Sequence, residues 1–270
     1  AANIDFNSFF INMAPPVFVT FVLGVFLLKI IFRKELKNTI SIAGKFRGVH
    51  EESLIKDKPL LQSCIIVLAG VIFLFIIQGT IGIEVSIIAL GGAAVLLIVS
   101  RAHVEKVLQE VDWATLIFFA GLFVVVGVLE EIGLIALLAK ILIGVTGGEP
   151  WLTFHAVIWM SAIASAFIDN IPFTATMVPI IETLNSSPSI HLVFGDLNIS
   201  PLWWALALGA DFGGNGTLIG SSAGVVAAGM SLKYGYKISF IRWFKIGFPF
   251  MILTVALGAL ILMLMTMLSL

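Results

Sequence analysis

The sequence predicts an all-α polytopic membrane protein, on its composition, its long apolar stretches and the placement of its charge. Of 270 residues, 60% are hydrophobic and only 11% charged, with a mean hydropathy of +1.12. A soluble domain of this size carries roughly a quarter of its residues charged to cover its surface, so most of this exterior must face hydrocarbon. Apolar stretches run over 14–32, 60–77, 87–99, 116–129 and 248–268. Several approach the ~20 residues that cross ~30 Å of hydrocarbon as helix.

Thirteen of the fifteen Lys and Arg residues fall in three segments: seven in Arg33–Lys58, two in Arg101–Lys106 and four in Lys233–Lys245. Positive residues resist translocation, so all three segments are expected on the cytoplasmic side. Lys29 stands a turn inside a helix end, where it can snorkel.

The elements follow in order. Residues 1–32 read as a polar outer segment and one helix starting near Pro15 and Pro16. The basic stretch 33–59 reads as a solvated cytoplasmic linker, and 60–270 as a transmembrane domain. Spans 60–79 and 81–100, joined around Gln78, Gly79 and Thr80, go out and back. Asp112 and Trp113 open the next span, with the aspartate where a helix dipole favours an anion. Gly133 to Gly148 either finishes that span or lies along the interface. A span near 201–232 returns inward, and 246–268 leaves for the last time. The apolar stretch 150–200 must then start and finish outside, which makes about 151–187 a re-entrant hairpin. The chain opens on Ala1 without a signal-peptide pattern, so a fragment or a processed chain is expected. Cys64, alone of its kind, excludes a disulfide framework and a thiolate metal cluster.

Two membrane segments carry breaks. In the hairpin, Asp169-Asn170-Ile171-Pro172 is followed by Thr174 and Thr176. Proline lacks an N–H and disfavours helix at the residue before it, which predicts a break at Asn170–Ile171. Broken backbone at membrane depth needs protein or a wet cavity around it, and Asn170, Thr174 and Thr176 supply polar groups. Ser161, Ala162, Ala164, Ser165 and Ala166 let another helix approach closely. In the second segment, Asp211 precedes Gly213, Gly214, Asn215, Gly216, Thr217 and Gly220. Its glycines make regular helix costly at about 1 kcal/mol each, and Thr217 is expected to cap the restarting half-helix. Such an N-terminus favours an oxyanion, and the unwound carbonyls favour Na⁺.

Paired interruptions point to a transporter's midplane site. The expected coordinating set is Asp169, Asn170, Thr174, Thr176, Asp211, Asn215, Gly216 and Thr217, with Pro172, Gly213, Gly214 and Gly220 as structural breaks. An intramembrane carboxylate costs ~3 kcal/mol on insertion scales, so Asp169 and Asp211 each require a partner or a proton. Asp169 is the first candidate for titration and Asp211 the second; capping of half-helices is the structural alternative for both.

Other signals are weaker. Gly220-Ser-Ser222-Ala-Gly224 matches G-x-S-x-G, but a nucleophile elbow needs a preceding strand and a His–Asp pair. His155 lies in the first hairpin arm, while His50, His103 and His191 fall in expected loops. Glu130 and Glu131 read as interfacial, Glu182 lies in the second hairpin arm, and Trp203 and Trp204 fit an aromatic belt.

At Asp112-Trp-Ala-Thr-Leu-Ile-Phe-Phe-Ala-Gly-Leu-Phe123, Ser165-Ala-Phe-Ile-Asp-Asn-Ile-Pro-Phe-Thr-Ala-Thr-Met177 and Gly213-Gly-Asn-Gly-Thr-Leu-Ile-Gly220, the chain resembles the citrate-transporter-like permeases of the ion transporter superfamily. It is most similar to the branch of arsenite pumps, NhaD-type Na⁺/H⁺ antiporters and the P protein, over essentially residues 10–268. The resemblance implies two inverted repeats, each giving one hairpin and one broken helix, with tips that meet around substrate and coupling ion. It makes 1–32 the last span of a first repeat and 60–270 the second repeat. Asn170, Thr174 and Thr176 would form the hairpin tip, and Asn215, Gly216 and Thr217 the broken helix. Gly224 stands where the family commonly has Asn, which removes one side-chain ligand.

The expected function is ion-coupled secondary transport of a small inorganic ion or oxyanion, such as Na⁺/H⁺ exchange or arsenite efflux. The coupling ion would be H⁺ or Na⁺, with no other cofactor. A citrate or dicarboxylate carrier is the alternative, disfavoured because no Lys or Arg is near either motif in sequence. A membrane-embedded hydrolase is the alternative of another class. Expected partners are the missing N-terminal repeat and the lipid bilayer, with room for a homodimer and none for nucleic acid.

Overall fold

The computed structural model describes residues 4–37, 57–101, 103–195, 197, 199–233 and 235–269. All regular structure among them is helical: α1 (Phe6–Ile31), α2 (Arg33–Lys37), α3 (Lys58–Ile81), α4 (Val85–Ser100), α5 (Val104–Gln109), α6 (Trp113–Glu131), α7 (Leu134–Thr146), α8 (Pro150–Ser165), α9 (Asn170–Asn185), α10 (Pro188–Phe194), α11 (Pro201–Gly213), α12 (Ser222–Lys233) and α13 (Phe240–Ser269). Four of these, α1, α3, α6 and α13, are long and apolar enough to cross a membrane. The chain forms two compact units, one of residues 4–11 and 25–114, the other of 12–24 and 115 onward.

In the first unit, α3 and α4 form a packed pair joined by a short turn. Helix α3 runs on through Gln78, Gly79 and Thr80, where a junction was expected, and stops at Gly82, whose φ of 66° suits a residue without Cβ. Gly92 lets the two helices close up, since a Cβ there would meet the Val71 side chain. The start of α1 docks on the end of α3: Asn7 donates to the Ile76 carbonyl at 2.6 Å, and the Phe6 and Phe75 rings lie 5.7 Å apart. Helix α1 begins at Phe6, well ahead of the expected start at Pro15 and Pro16, because Asp5 caps it by accepting from the Ser8 N–H. Both prolines are carried inside the helix. Much of the expected basic linker, with His50, lies outside the described residues.

In the second unit, α8 and α11 are the central pair, with α13 packed on both and α9 on α7 and α11. Buried side chains concentrate here: Phe154, Ile158, Leu202, Leu206, Leu208 and Met251 have less than 2% exposure. Trp204, expected in an interfacial belt, is 3% exposed because α11 is enclosed along most of its length. His191, expected in a loop, lies in α10. The last helix begins at Phe240 rather than 246 and carries Pro249 in its interior.

Candidate functional site

The first interruption separates α8 from α9. Helix α8 ends at Ser165, residues 166–169 turn, and α9 starts at Asn170. The break therefore lies ahead of the expected Asn170–Ile171. Asp169 explains the shift: its Oδ1 accepts from the Ile171 N–H at 3.1 Å and nucleates α9. Pro172 then falls in the first turn of α9, where a missing N–H leaves no intrahelical bond unmade. Thr176 Oγ1 donates to the Pro172 carbonyl at 2.9 Å, and Thr174 is half-buried on the same turn.

The second interruption separates α11 from α12. After Gly213 the chain tightens, with the Asn215 N–H bonded to Phe212 O at 3.2 Å and the Gly216 N–H to Gly213 O at 2.9 Å. It then folds back, so that a Cβ on Gly214 would meet the Gly220 carbonyl oxygen at 2.9 Å. Helix resumes only at Ser222. Thr217, expected to cap that restart, instead is fully buried and donates its hydroxyl to the Ala166 carbonyl across the gap. The Thr217 hydroxyl oxygen in turn accepts from the Gly220 N–H at 3.1 Å. The Ser221 hydroxyl lies at the restart, accepting from the Gly224 N–H at 3.2 Å.

The two interruptions are stitched together. Thr217 to Ala166 is one stitch, and Ser165 Oγ to the Ala210 carbonyl, at 2.5 Å, is a second. The third joins two polar side chains: Asn170 Nδ2 donates to Asp211 Oδ1 at 2.9 Å. Close approach makes these bonds reachable. Cβ atoms on Gly209 and Gly213 would collide with the Ile158 and Ala162 carbonyls, and one on Gly220 would meet the Ala166 carbonyl at 2.8 Å. Ser161 Oγ is buried in this contact without a hydrogen-bond partner.

Of the expected set, the structure brings Asn170 to Asp211, and Thr217 and Gly216 to Ala166. Asp211 lies inside the last turn of α11 and caps nothing; a helix C-terminus disfavours an anion, and Asn170 is the donor that compensates. Asp169 is bonded to its own helix. Asn215 is exposed, while its carbonyl accepts from Trp243 Nε1 at 3.2 Å. Ser165 as a donor, the Ala166 carbonyl and Trp243 escaped sequence reasoning. The Gly209-x-x-x-Gly213 spacing, a signature of close helix contact, is the unused signal that would have identified the partner of the small residues on α8. Nothing in the sequence marked Trp243.

No group of three or more metal-ligating side chains occurs among the described residues. Ser222 of the G-x-S-x-G match starts a helix, with no strand before it among the described residues, so the geometry of a nucleophile elbow is not met.

The citrate transporter family, CitMHS, matches residues 1–209, ending just ahead of the second interruption. The pig P protein is 43% identical over 213 residues, which are 76% of this chain and 25% of that protein. An uncharacterized transporter of Mycobacterium tuberculosis is 38% identical over 246 residues, 91% of this chain and 56% of its own length. The 46 kDa membrane protein of Mycobacterium leprae is 35% identical over 257 residues, 95% and 59% respectively. The chain thus spans a quarter to somewhat over half of these relatives. No solved structure matches it. Four membrane-length apolar helices and relatives described as transporters agree: the chain is an integral membrane protein and belongs to the citrate transporter family.

Proposed function

We propose that this chain is one repeat of an ion-coupled secondary transporter that moves a small inorganic ion or oxyanion by alternating access, with H⁺ or Na⁺ as coupling ion. In this reading residues 1–32 end a first repeat, 33–59 are a cytoplasmic linker, and 151–187 form a re-entrant hairpin facing the broken helix of 201–232. A missing N-terminal repeat supplies the other half of the cavity. The observation that carries the reading is the Asn170–Asp211 bond, which joins a polar hairpin tip to a carboxylate beside a Gly-rich break. A carboxylate and an amide held together within membrane-spanning segments form a site for a proton or a small cation. Hydroxyls of Thr174 and Thr176, the Asn215 amide and backbone at Gly216 and Thr217 complete a neutral, oxygen-rich lining. Na⁺, Li⁺ and arsenite suit such a lining.

A citrate or dicarboxylate carrier is the second reading, favoured by one contact. Trp243 reaches the break, so Arg242 and Lys245 flank in sequence a residue that touches it, although both are distant from the motifs along the chain. Everted vesicles holding the complete transporter separate the readings. A pH-sensitive dye follows an imposed proton gradient while Na⁺, Li⁺, arsenite or citrate is added singly. Dissipation by Na⁺, Li⁺ or arsenite supports the first reading, and dissipation by citrate alone overturns it in favour of the second.

A further inference from the structure

The start of α13 lies along the second interruption, one residue per turn. Trp243 donates its indole N–H to the Asn215 carbonyl at 3.2 Å. One turn on, Gly247 leaves space for that carbonyl: a Cβ there would sit 2.6 Å from Asn215 O and 2.8 Å from Trp243 Nε1. A further turn on, Met251 Sδ lies 2.8 Å from where a Gly216 Cβ would be. The spacing of four places all three residues on one face of α13. The same indole lies near the restart of the helix, with Trp243 Cζ2 3.6 Å from a Cβ built on Gly224.

The break frees backbone groups that a continuous helix would satisfy internally. The Ala210 carbonyl takes its partner from Ser165 of the hairpin, and the Ala166 carbonyl of the hairpin takes its partner from Thr217. Asn215 differs: its carbonyl is held by a side chain from a separate helix, while the residue itself stays exposed. Fixing the peptide on one side limits the directions in which the Asn215 amide can point. Pro249 lies two residues after Gly247 inside α13. Its missing N–H interrupts the α13 hydrogen-bond ladder at that point. Trp243 and Gly247 lie ahead of this point and Met251 beyond it, so the contacts to the break come from both sides of the proline.

We propose that Trp243 is a positioning residue of the transport site, which holds the Asn215 peptide through its indole N–H and couples the broken helix to the first turns of α13. Gly247 is its necessary companion, since any side chain there displaces the carbonyl that Trp243 holds. The inference rests on the proposed transport reading, but its test does not require knowing the substrate.

The test uses the complete transporter in native membranes, with Cys64→Ser as background and Asn215→Cys as reporter. The replacement keeps the backbone carbonyl that Trp243 bonds. A membrane-permeant maleimide labels the thiol at position 215, and a Ser189→Cys protein serves as control. Trp243→Phe keeps an aromatic ring and removes the donor, and Gly247→Ala crowds the carbonyl. Both are expected to change labelling at position 215 by about fivefold, the scale of one ordinary hydrogen bond, and to leave position 189 unchanged. A parallel assay, in proteins that keep Asn215, follows proton movement driven by Na⁺, Li⁺, arsenite or citrate. Both variants are expected to raise the half-saturating concentration of whichever probe is active. Unchanged labelling at 215 in both variants, or an equal change at both positions, overturns the proposal. If labelling responds and none of the probes moves protons, the positioning role stands and the proton-coupled form of the transport reading fails.

Discussion

The α3–α4 pair and the α8–α11 pair are both close helix contacts in an apolar chain, yet they differ sharply in how much they bury. Helix α3 has no buried residue, and Ile66 on it is 70% exposed. Helix α11 buries nine of its thirteen residues, and meets α8 through glycine, alanine and serine. In water the more apolar helix would be the more buried one. In lipid that ordering fails, because hydrocarbon tails are as apolar as leucine, and close association rests on small residues and hydrogen bonds. Apolarity marks where the chain meets its surroundings; small and polar residues mark where it meets itself.

Substitutions sharpen this contrast, beginning with the largest effect. Gly213→Leu should prevent assembly of the second unit, since even a Cβ there meets the Ala162 carbonyl; overpacking costs of ~1–3 kcal/mol are a lower bound where backbone is struck. Loss of monodisperse protein in detergent gel filtration is the expected result. Thr217→Val keeps the shape but leaves the buried Ala166 carbonyl without this donor, at ~1–3 kcal/mol. Thermal unfolding in detergent should shift down by several degrees. Ile66→Ala on α3 should change stability by less than ~0.5 kcal/mol, as for exposed positions without special roles. A large loss there would show that α3 is covered by another part of the protein, and would break the contrast.

A small pH effect belongs to the start of α1. The Ser8 side chain and then its backbone N–H hold the Asp5 carboxyl below its ordinary value. A depressed folded-state value means that this cap contributes above the unfolded pKa and is lost as pH falls through the folded one. Asp5→Asn should flatten that acid-side slope in a thermal-shift series, with a small loss at neutral pH, where the ionised cap contributes, and no loss at low pH, where it does not.

The fold class was legible because composition and charge placement are global properties that lipid dictates. Boundaries were less so. Proline was read as the cause of the first break, but a capping aspartate set it, and Pro172 merely fits the turn that Asp169 starts. At the second break Thr217 has the identity of a cap, and nothing local shows that a carbonyl 51 residues away would take its hydroxyl. Trp204 reads as an interfacial anchor because hydropathy cannot tell an enclosed helix from a peripheral one. Trp243 touches the site through a backbone atom, which leaves no trace in residue pattern. The paired Asp-Asn-Thr composition did identify the segments that meet, since broken helices need short polar side chains wherever they occur.

The central claim is that the hairpin tip and the broken helix act as one site through Asn170 and Asp211. Proton-coupled transport in everted vesicles, run for Asn170→Asp, Asp211→Asn and the exchanged pair, tests it most directly. Each single change removes the amide-to-carboxylate bond, whereas the exchange restores it with the partners reversed. The account predicts strong loss in both single variants and substantial recovery in the double, a coupling of about 1 kcal/mol or more for groups in contact. Single variants that transport normally, or losses that simply add in the double, would contradict it.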